Sequence, residues 1–370
     1  LRLGAGSTSG YRLGERLGGK GALKQLRDGD VLVTHEGLIF YAFGYEHPPG
    51  RAFAFLKYVP ERLASRLELK FLPTRWHLQG TTLLRPRELF SPSSWRAVLA
   101  FLRQELPDYV FYCSFLGKEM IAVPLGRVKC VLVPSECLRA LKAVRRPDRL
   151  QATALELVEL LSSASGVPEE DFGLHGSLAL SMHGPWSDVD LVVYGSREFR
   201  AVEAAVRKLA AEGELELEAS DPLEARRGLR GTFKGVRFVY TAVRKPEEIR
   251  TYYGQHAYVP LDQVELTCRV VGDEEAMFRP ALYRVADCEP TGADKTWSDE
   301  PSWPKPGQVE RVAAMIGLYR NVARVGDRLH VRGTLERVVE LSTGEERYQV
   351  VVGSGRPGEF LRPLSAIARR

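Results

Sequence analysis

Two carboxylates at spacing i and i+2 open an apolar run: Ser187-Asp188-Val189-Asp190-Leu191-Val192-Val193. Leu174-His175-Gly176-Ser177 precedes it, with Ser177 ten residues before Ser187. Side chains two apart on a strand share a face, so Asp188 and Asp190 project together while Val189 and Leu191 turn toward a core. Two adjacent acids repel each other unless a cation sits between them. A hard divalent ion with oxygen ligands, Mg2+ or Mn2+, is the natural occupant. Gly176 lets a backbone approach an anion closely, and Ser177 offers a hydroxyl and an N–H at the start of a helix. An anion cradle beside a two-carboxylate metal site is equipment for phosphoryl or nucleotidyl transfer.

The same residues resemble the nucleotidyltransferase superfamily that includes DNA polymerase β and the tRNA CCA-adding enzymes. Its motif is Gly-Ser, a spacer of roughly ten residues, then acid-apolar-acid on a strand. Gly176, Ser177, Asp188 and Asp190 match it, and Ser187 and Leu191-Val192-Val193 fit around them. The resemblance runs from about 147 to 245, and the whole chain is similar to archaeal-type nucleotidyltransferases. It implies a metal-dependent enzyme that moves a nucleoside monophosphate from an NTP to an acceptor hydroxyl or phosphate. RNA or another nucleic acid is the candidate acceptor. Gly176, Ser177 and Ser187 would hold the nucleotide, and Asp188 and Asp190 the metal. Related enzymes carry a third metal-binding acid on a neighbouring strand. Here that strand reads Val236-Arg237-Phe238-Val239-Tyr240-Thr241-Ala242-Val243, without an acid. Smaller relatives place the acid on the strand directly after the helix, which makes Glu216 or Glu218 the substitute. The other reading is a non-catalytic nucleotide- or RNA-binding protein with a degenerate core.

Other elements must position these residues. A helix opens at Pro147-Asp148, with Leu150, Ala154, Leu157, Val158 and Leu161 as its apolar stripe. A second helix, from about Glu198 to Ala211, buries Phe199, Val202, Val206 and Leu209. The alternation Leu215-Glu216-Leu217-Glu218 is a strand with one acidic face. Arg226, Arg227, Arg230 and Lys234 follow among glycines and form a candidate phosphate clamp, since guanidinium forks fit phosphate.

The rest of the chain sorts into domains. Residues 1–27 read as a flexible glycine-rich arm; Gly14 to Gly21 nearly spells a phosphate-binding loop but lacks the Ser/Thr after Lys20. Residues 28–146 read as an α+β domain that opens with an antiparallel meander. The core spans 147–250, and 251–306 is a strand-rich segment ending in a proline-rich linker. Residues 307–370 form a small C-terminal β module, with a short helix marked by Val309, Val312, Ile316 and Tyr319. Its outline resembles a compact nucleic-acid-binding module. The fold class is α+β: a mixed-sheet nucleotidyltransferase core between β-rich N- and C-terminal regions.

The 370 residues are 44% hydrophobic and 27% charged, as in an ordinary globular protein, and the net charge of +5 permits a nucleic-acid partner without requiring one. No apolar run approaches the ~18 residues of a membrane span, and no leader pattern is present, so the expected setting is cytoplasmic. The five cysteines lack the spacing of a zinc or redox site. Arginine outnumbers lysine 40 to 12 and asparagine occurs once, at Asn321, which hints at a thermophilic source.

Overall fold

A computed structural model describes residues 25–291, 297–298, 300 and 303–364. The glycine-rich string at 14–21 lies outside the described residues. Three sheets organise the rest.

The first sheet begins as the expected meander: β1 (Val31–Thr34), β2 (Ile39–Ala42) and β3 (Arg51–Pro60), antiparallel throughout. Helix α1 (Glu61–Ala64) leads to β4 (Trp76–Leu78) and β5 (Thr81–Leu84). Helix α2 (Pro92–Glu105) follows, started by Ser91, whose Oγ accepts from the Ser94 N–H at 3.2 Å, and by Pro92 in the first turn. Then come β6 (Val110–Cys113), β7 (Lys118–Pro124), β8 (Val128–Leu132) and helix α3 (Pro134–Lys142). The main strand order is β4-β5-β3-β2-β1-β8, with β7 and β6 branching from β3. Leu32, Phe40 and Leu56 pack on one side with α2 residues Val98, Leu99 and Leu102. Val33, Ile39, Tyr41, Phe55 and Tyr58 cluster instead with Leu180 and Met182, which follow the Gly-Ser motif. The N-terminal sheet therefore docks directly onto the motif.

The second sheet is the core. Helix α4 (Arg149–Ser165) is started by a reciprocal cap between Asp148 and Gln151. It leads to β9 (Phe172–Leu174), the one-turn helix α5 (Gly176–Ala179), β10 (Val189–Tyr194) and helix α6 (Ser196–Ala211). After them come β11 (Glu216–Leu217), helix α7 (Pro222–Arg227), β12 (Arg230–Phe233) and β13 (Val236–Val243). The strand order is β11-β12-β13-β10-β9, with β10 and β13 parallel and the other pairs antiparallel. The anticipated stripes of α4 and α6 join Val189, Leu191, Phe238 and Tyr240 in one buried cluster.

The third sheet holds β14 (His256–Glu275), β15 (Ala281–Pro290), β16 (Val309–Ala314), β17 (Arg328–Glu340), β18 (Glu346–Val352) and β19 (Phe360–Pro363). The order β14-β15-β16-β18-β17 closes on itself because β17 also pairs with β14. Strands β15 and β16, on either side of the proline-rich linker in sequence, pair in one barrel, and the division expected near residue 306 does not separate two modules. The helix expected from Val309 is strand β16. A bulge between Val309 and Arg311 puts the buried residues at 309, 312, 313 and 314, and the 309–312–313 spacing imitates the first turn of a helix. No helix among the described residues is long and apolar enough to cross a membrane.

Candidate active site

Strand β10 delivers the acid pair as its alternation requires. Val189 and Leu191 are 0% and 1% exposed, whereas Asp188, just before the strand, and Asp190 are half-buried on the opposite face. Farther along that face, Val192 and Tyr194 are sealed in a cluster with Tyr45 of the N-terminal region. The end carrying the acids is less completely covered than this stretch. The backbone N–H of His175 donates to the Asp190 carbonyl at 2.8 Å, which sets the Gly-Ser turn beside the acids. Gly176 has φ +68°, and a Cβ there would lie 1.8 Å from Asp190 Oδ2. The carboxylate fills the space that glycine leaves free. Ser177 Oγ donates to Ser187 Oγ at 3.1 Å, and the Gly184 N–H donates to the same oxygen at 3.0 Å. These serines tie the turn to the start of the acid strand.

Strand β3 adds a cation that the sequence reading missed. Lys57 Nζ lies 4.1 Å from the centre of the Tyr41 ring. Burial pushes the Asp190 carboxyl up to about 6; Lys57 opposes the rise, Asp188 adds to it, and Arg85 and Arg230 also lower it. Burial pushes Lys57 down to about 8, with Asp190 and Asp188 pulling it back. Burial, then Lys57, Arg279 and Arg320, push His175 down to about 3, so its ring is neutral. Among the described residues, three buried polar atoms here have no hydrogen-bond partner: Tyr41 Oη, Arg85 Nε and His175 Nε2. Unsatisfied buried polar groups are rare, and several of them around an acid pair suit a site made to receive a polar ligand. Lys57 carried a usable signal, a lysine inside a strand that is otherwise almost wholly buried. Its electrostatic influence on Asp190 depends on how two sheets pack, which no local pattern encodes.

The remaining expected residues divide. Arg230 pairs in register with Val239, and Val239 with Asp190, so Arg230 shares the acid face two strands away. Glu216 and Glu218 are exposed at β11 and its end, with β12 and β13 between them and β10. Three strand spacings put them about 14 Å from the acids. The residue directly beside Asp190 on β13 is Val239. Among the described residues, no group of three or more His, Cys, Asp and Glu side chains could hold a metal. The chemistry of the acid pair fits one hard cation. It does not by itself supply ligands for two.

Arg226 and Arg227 are committed elsewhere. Arg226 donates to the Val322 carbonyl at 2.5 Å and pairs with Asp327. Arg227 is buried, pairs with Glu224, and donates to the carbonyls of Arg320 and Gly317 at 3.1 and 3.0 Å. Both bolt the core to the barrel. Lys234, in the β12–β13 turn, pairs with Glu156 at 2.7 Å on α4.

An uncharacterised protein of Methanocaldococcus jannaschii is 25% identical over 353 residues, which cover 90% of this chain and 96% of that protein. No solved structure matches the chain. Residues 156–250 match the family described as the nucleotidyltransferase domain, and this stretch contains the Gly-Ser turn, both acids and strands β9 to β13. The chain therefore carries, over about a quarter of its length, a nucleotidyltransferase domain of the polymerase-β type.

Proposed function

We propose that the protein transfers a nucleoside monophosphate from an NTP to an acceptor hydroxyl or phosphate. The carrying observation is the acid pair on the open face of β10, packed against Gly176 inside a nucleotidyltransferase domain. Such a domain implies nucleotide binding, and its family typically uses divalent ions. Asp188 and Asp190 would hold one Mg2+ or Mn2+ ion, which when bound would neutralise charge on the phosphate oxygens. Gly176, Ser177 and Ser187 shape the turn beside the triphosphate. Lys57, Arg85 and Arg230, rather than Arg226 and Arg227, supply the positive charge that holds it. In the reaction, the acceptor oxygen, its proton passing to solvent when it is a hydroxyl, forms a bond to the α-phosphorus. The bond from that phosphorus to the bridging oxygen breaks, and pyrophosphate leaves with the electron pair. The N-terminal sheet keeps water from the acids along Val192 and Tyr194 and leaves the Asp188 end for substrates.

A second reading, nucleotide binding without turnover, is favoured by one observation: Val239 stands where a third acid would sit beside Asp190. Pyrophosphate release from a panel of NTPs with Mg2+ or Mn2+ separates the two. Turnover that vanishes in Asp190→Asn, with the thermal melt preserved, supports transfer. Metal-dependent binding without pyrophosphate supports the second reading. If Mg-NTP stabilises Asp190→Asn as much as the parent, the acids hold neither metal nor nucleotide and both readings fail.

A further inference from the structure

The barrel has a topology that sequence spacing could not reveal. Its first strand, β14, is 20 residues long and pairs with both the second and the fourth strands. The third and fifth strands, β16 and β18, are parallel, and all other pairs are antiparallel. A five-stranded closed barrel ordered 1-2-3-5-4-1 is the OB arrangement, whose second and third strands present an outer face to oligonucleotides.

On this barrel that face is basic. Arg284 of β15 and Arg311 of β16 stand directly opposite each other. Like charges in register are destabilising without a counter-charge between them. Arg347 of β18, 2.7 Å from His256 Nε2, joins them and Glu310 in lining a small cavity. Arg284 and Arg311 also line a larger cleft of about 400 Å3 that the barrel shares with Arg244 and Arg250, just beyond β13 of the core. The cleft contains carboxylates, but they are engaged. Glu274 pairs with Arg284 at 2.9 Å and Glu275 with Arg244 at 3.2 Å. Glu248 accepts from the N–H and hydroxyl of Ser196 at the start of α6. Arg311 is half-buried and makes no ion pair among the described residues. Burial and then Arg347 push its guanidinium below the ordinary range, with Glu275 opposing. A part-buried, unpaired cation facing two more cations is costly unless an anion joins them.

We propose that the outer face of β15, β16 and β18, together with the cleft it shares with the core, binds the backbone of single-stranded nucleic acid. Arg311, Arg347 and Arg284 contact successive phosphates. This site stands on the barrel, at the opposite end of β10 from the acids, and its binding does not depend on nucleotidyl transfer.

The test is fluorescence anisotropy of the full chain with labelled oligonucleotides of about 12 nucleotides, a length within the range one OB barrel covers. Single-stranded RNA, single-stranded DNA and duplex RNA are compared over a salt series. Both single strands are expected to bind more tightly than the duplex, and the two arms identify which sugar is preferred. Arg311→Ala with Arg347→Ala should weaken binding at least ~10-fold and lower the log–log salt slope by about 1.4, two phosphate contacts' worth. Arg284→Ala, at an exposed position, gives a smaller loss of the same sign if the double variant fails to fold. Arg66→Ala, which removes one charge from the N-terminal region, should bind as the parent does. Asp190→Asn should also bind unchanged, so failure of the transfer reading leaves this result standing. Absence of single-strand binding, preference for duplex, or equal loss from Arg66→Ala overturns the proposal.

Discussion

Gly176 and Asp190 occupy one volume between them: a β-carbon on the glycine would sit 1.8 Å from the aspartate Oδ2 and 2.8 Å from its Cγ. The glycine of the motif is therefore required twice, for φ +68° and for this carboxylate. Gly176→Ala should displace Asp190, abolish metal-dependent nucleotide binding, and destabilise the protein by roughly 2–3 kcal/mol. Asp190→Ala removes the two closest atoms and leaves only its Cβ, 3.2 Å away. In that background Gly176→Ala should cost only about 1 kcal/mol, the left-handed penalty. A double-mutant cycle from chemical denaturation reads the difference. Additive costs would mean that the two residues do not compete for space.

Lys57 is expected to hold the triphosphate. Lys57→Met keeps length and apolar bulk while removing the charge nearest in effect to Asp190. One charge-assisted contact is worth about 1.5–3 kcal/mol, so Mg-NTP affinity should fall roughly 10- to 100-fold. Arg226→Met, at a residue that bolts core to barrel, should leave nucleotide affinity unchanged while lowering the melting temperature. Calorimetry on both variants decides; a nucleotide defect in Arg226→Met and none in Lys57→Met would reverse the assignment.

What the sequence disclosed follows from the range of each interaction. The acid strand, the stripes of α4 and α6 and the opening meander rest on local periodicity, and each stands where its pattern placed it. The clamp could not be sorted the same way. Arg226, Arg227 and Arg230 look alike in sequence, yet only Arg230 falls in register with Asp190, through Val239. Lys57 and Arg85 act on Asp190 through their charge from a separate sheet. The barrel was hidden because β14 and β17, which close it, lie about 70 residues apart, and because the bulge at Val309 disguises β16 as a helix.

Asp30 should make stability depend on pH in an unusual direction. It is 3% exposed, and burial pushes its carboxyl up to about 7. The Arg27 N–H and charge oppose the rise, while Asp28 and Glu136 add to it. A carboxyl with a raised folded-state pKa favours the fold while protonated and loses that contribution as pH climbs from near 4 to 7. Asn at this position keeps an acceptor for the Arg27 N–H, 2.9 Å away, and carries no charge. The stability of Asp30→Asn relative to the parent should therefore grow between pH 4 and 8, by at most about 4 kcal/mol. Urea titrations across that range measure it. A difference independent of pH would show that Asp30 ionises freely in the fold.

The chain's single asparagine should be among its least replaceable residues. Asn321 is 1% exposed with φ +61°. Its amide donates to Glu203 at 2.8 Å and to the Arg227 carbonyl at 3.1 Å, and its oxygen accepts from Arg200 at 2.7 Å and Arg324 at 2.6 Å. All four hydrogen-bonding positions of the side chain are filled. They join α6 and α7 of the core to the segment between β16 and β17. Asparagine is also the non-glycine side chain best suited to a left-handed backbone. Asn321→Gly keeps the backbone and loses the four bonds. It should cost about 2–4 kcal/mol, since the bonds to Glu203, Arg200 and Arg324 involve charged partners. Asn321→Ala loses the same bonds and adds about 1 kcal/mol of left-handed strain, so it should be the less stable of the two. Asn321→Asp cannot donate to Glu203 and sets a second carboxylate beside it, and its defect should ease as the pH falls and the acids protonate. Denaturant midpoints for the three variants provide the ranking. If alanine proves as stable as glycine, the left-handed backbone is not the constraint; if all three match the parent, the junction between core and barrel does not run through Asn321.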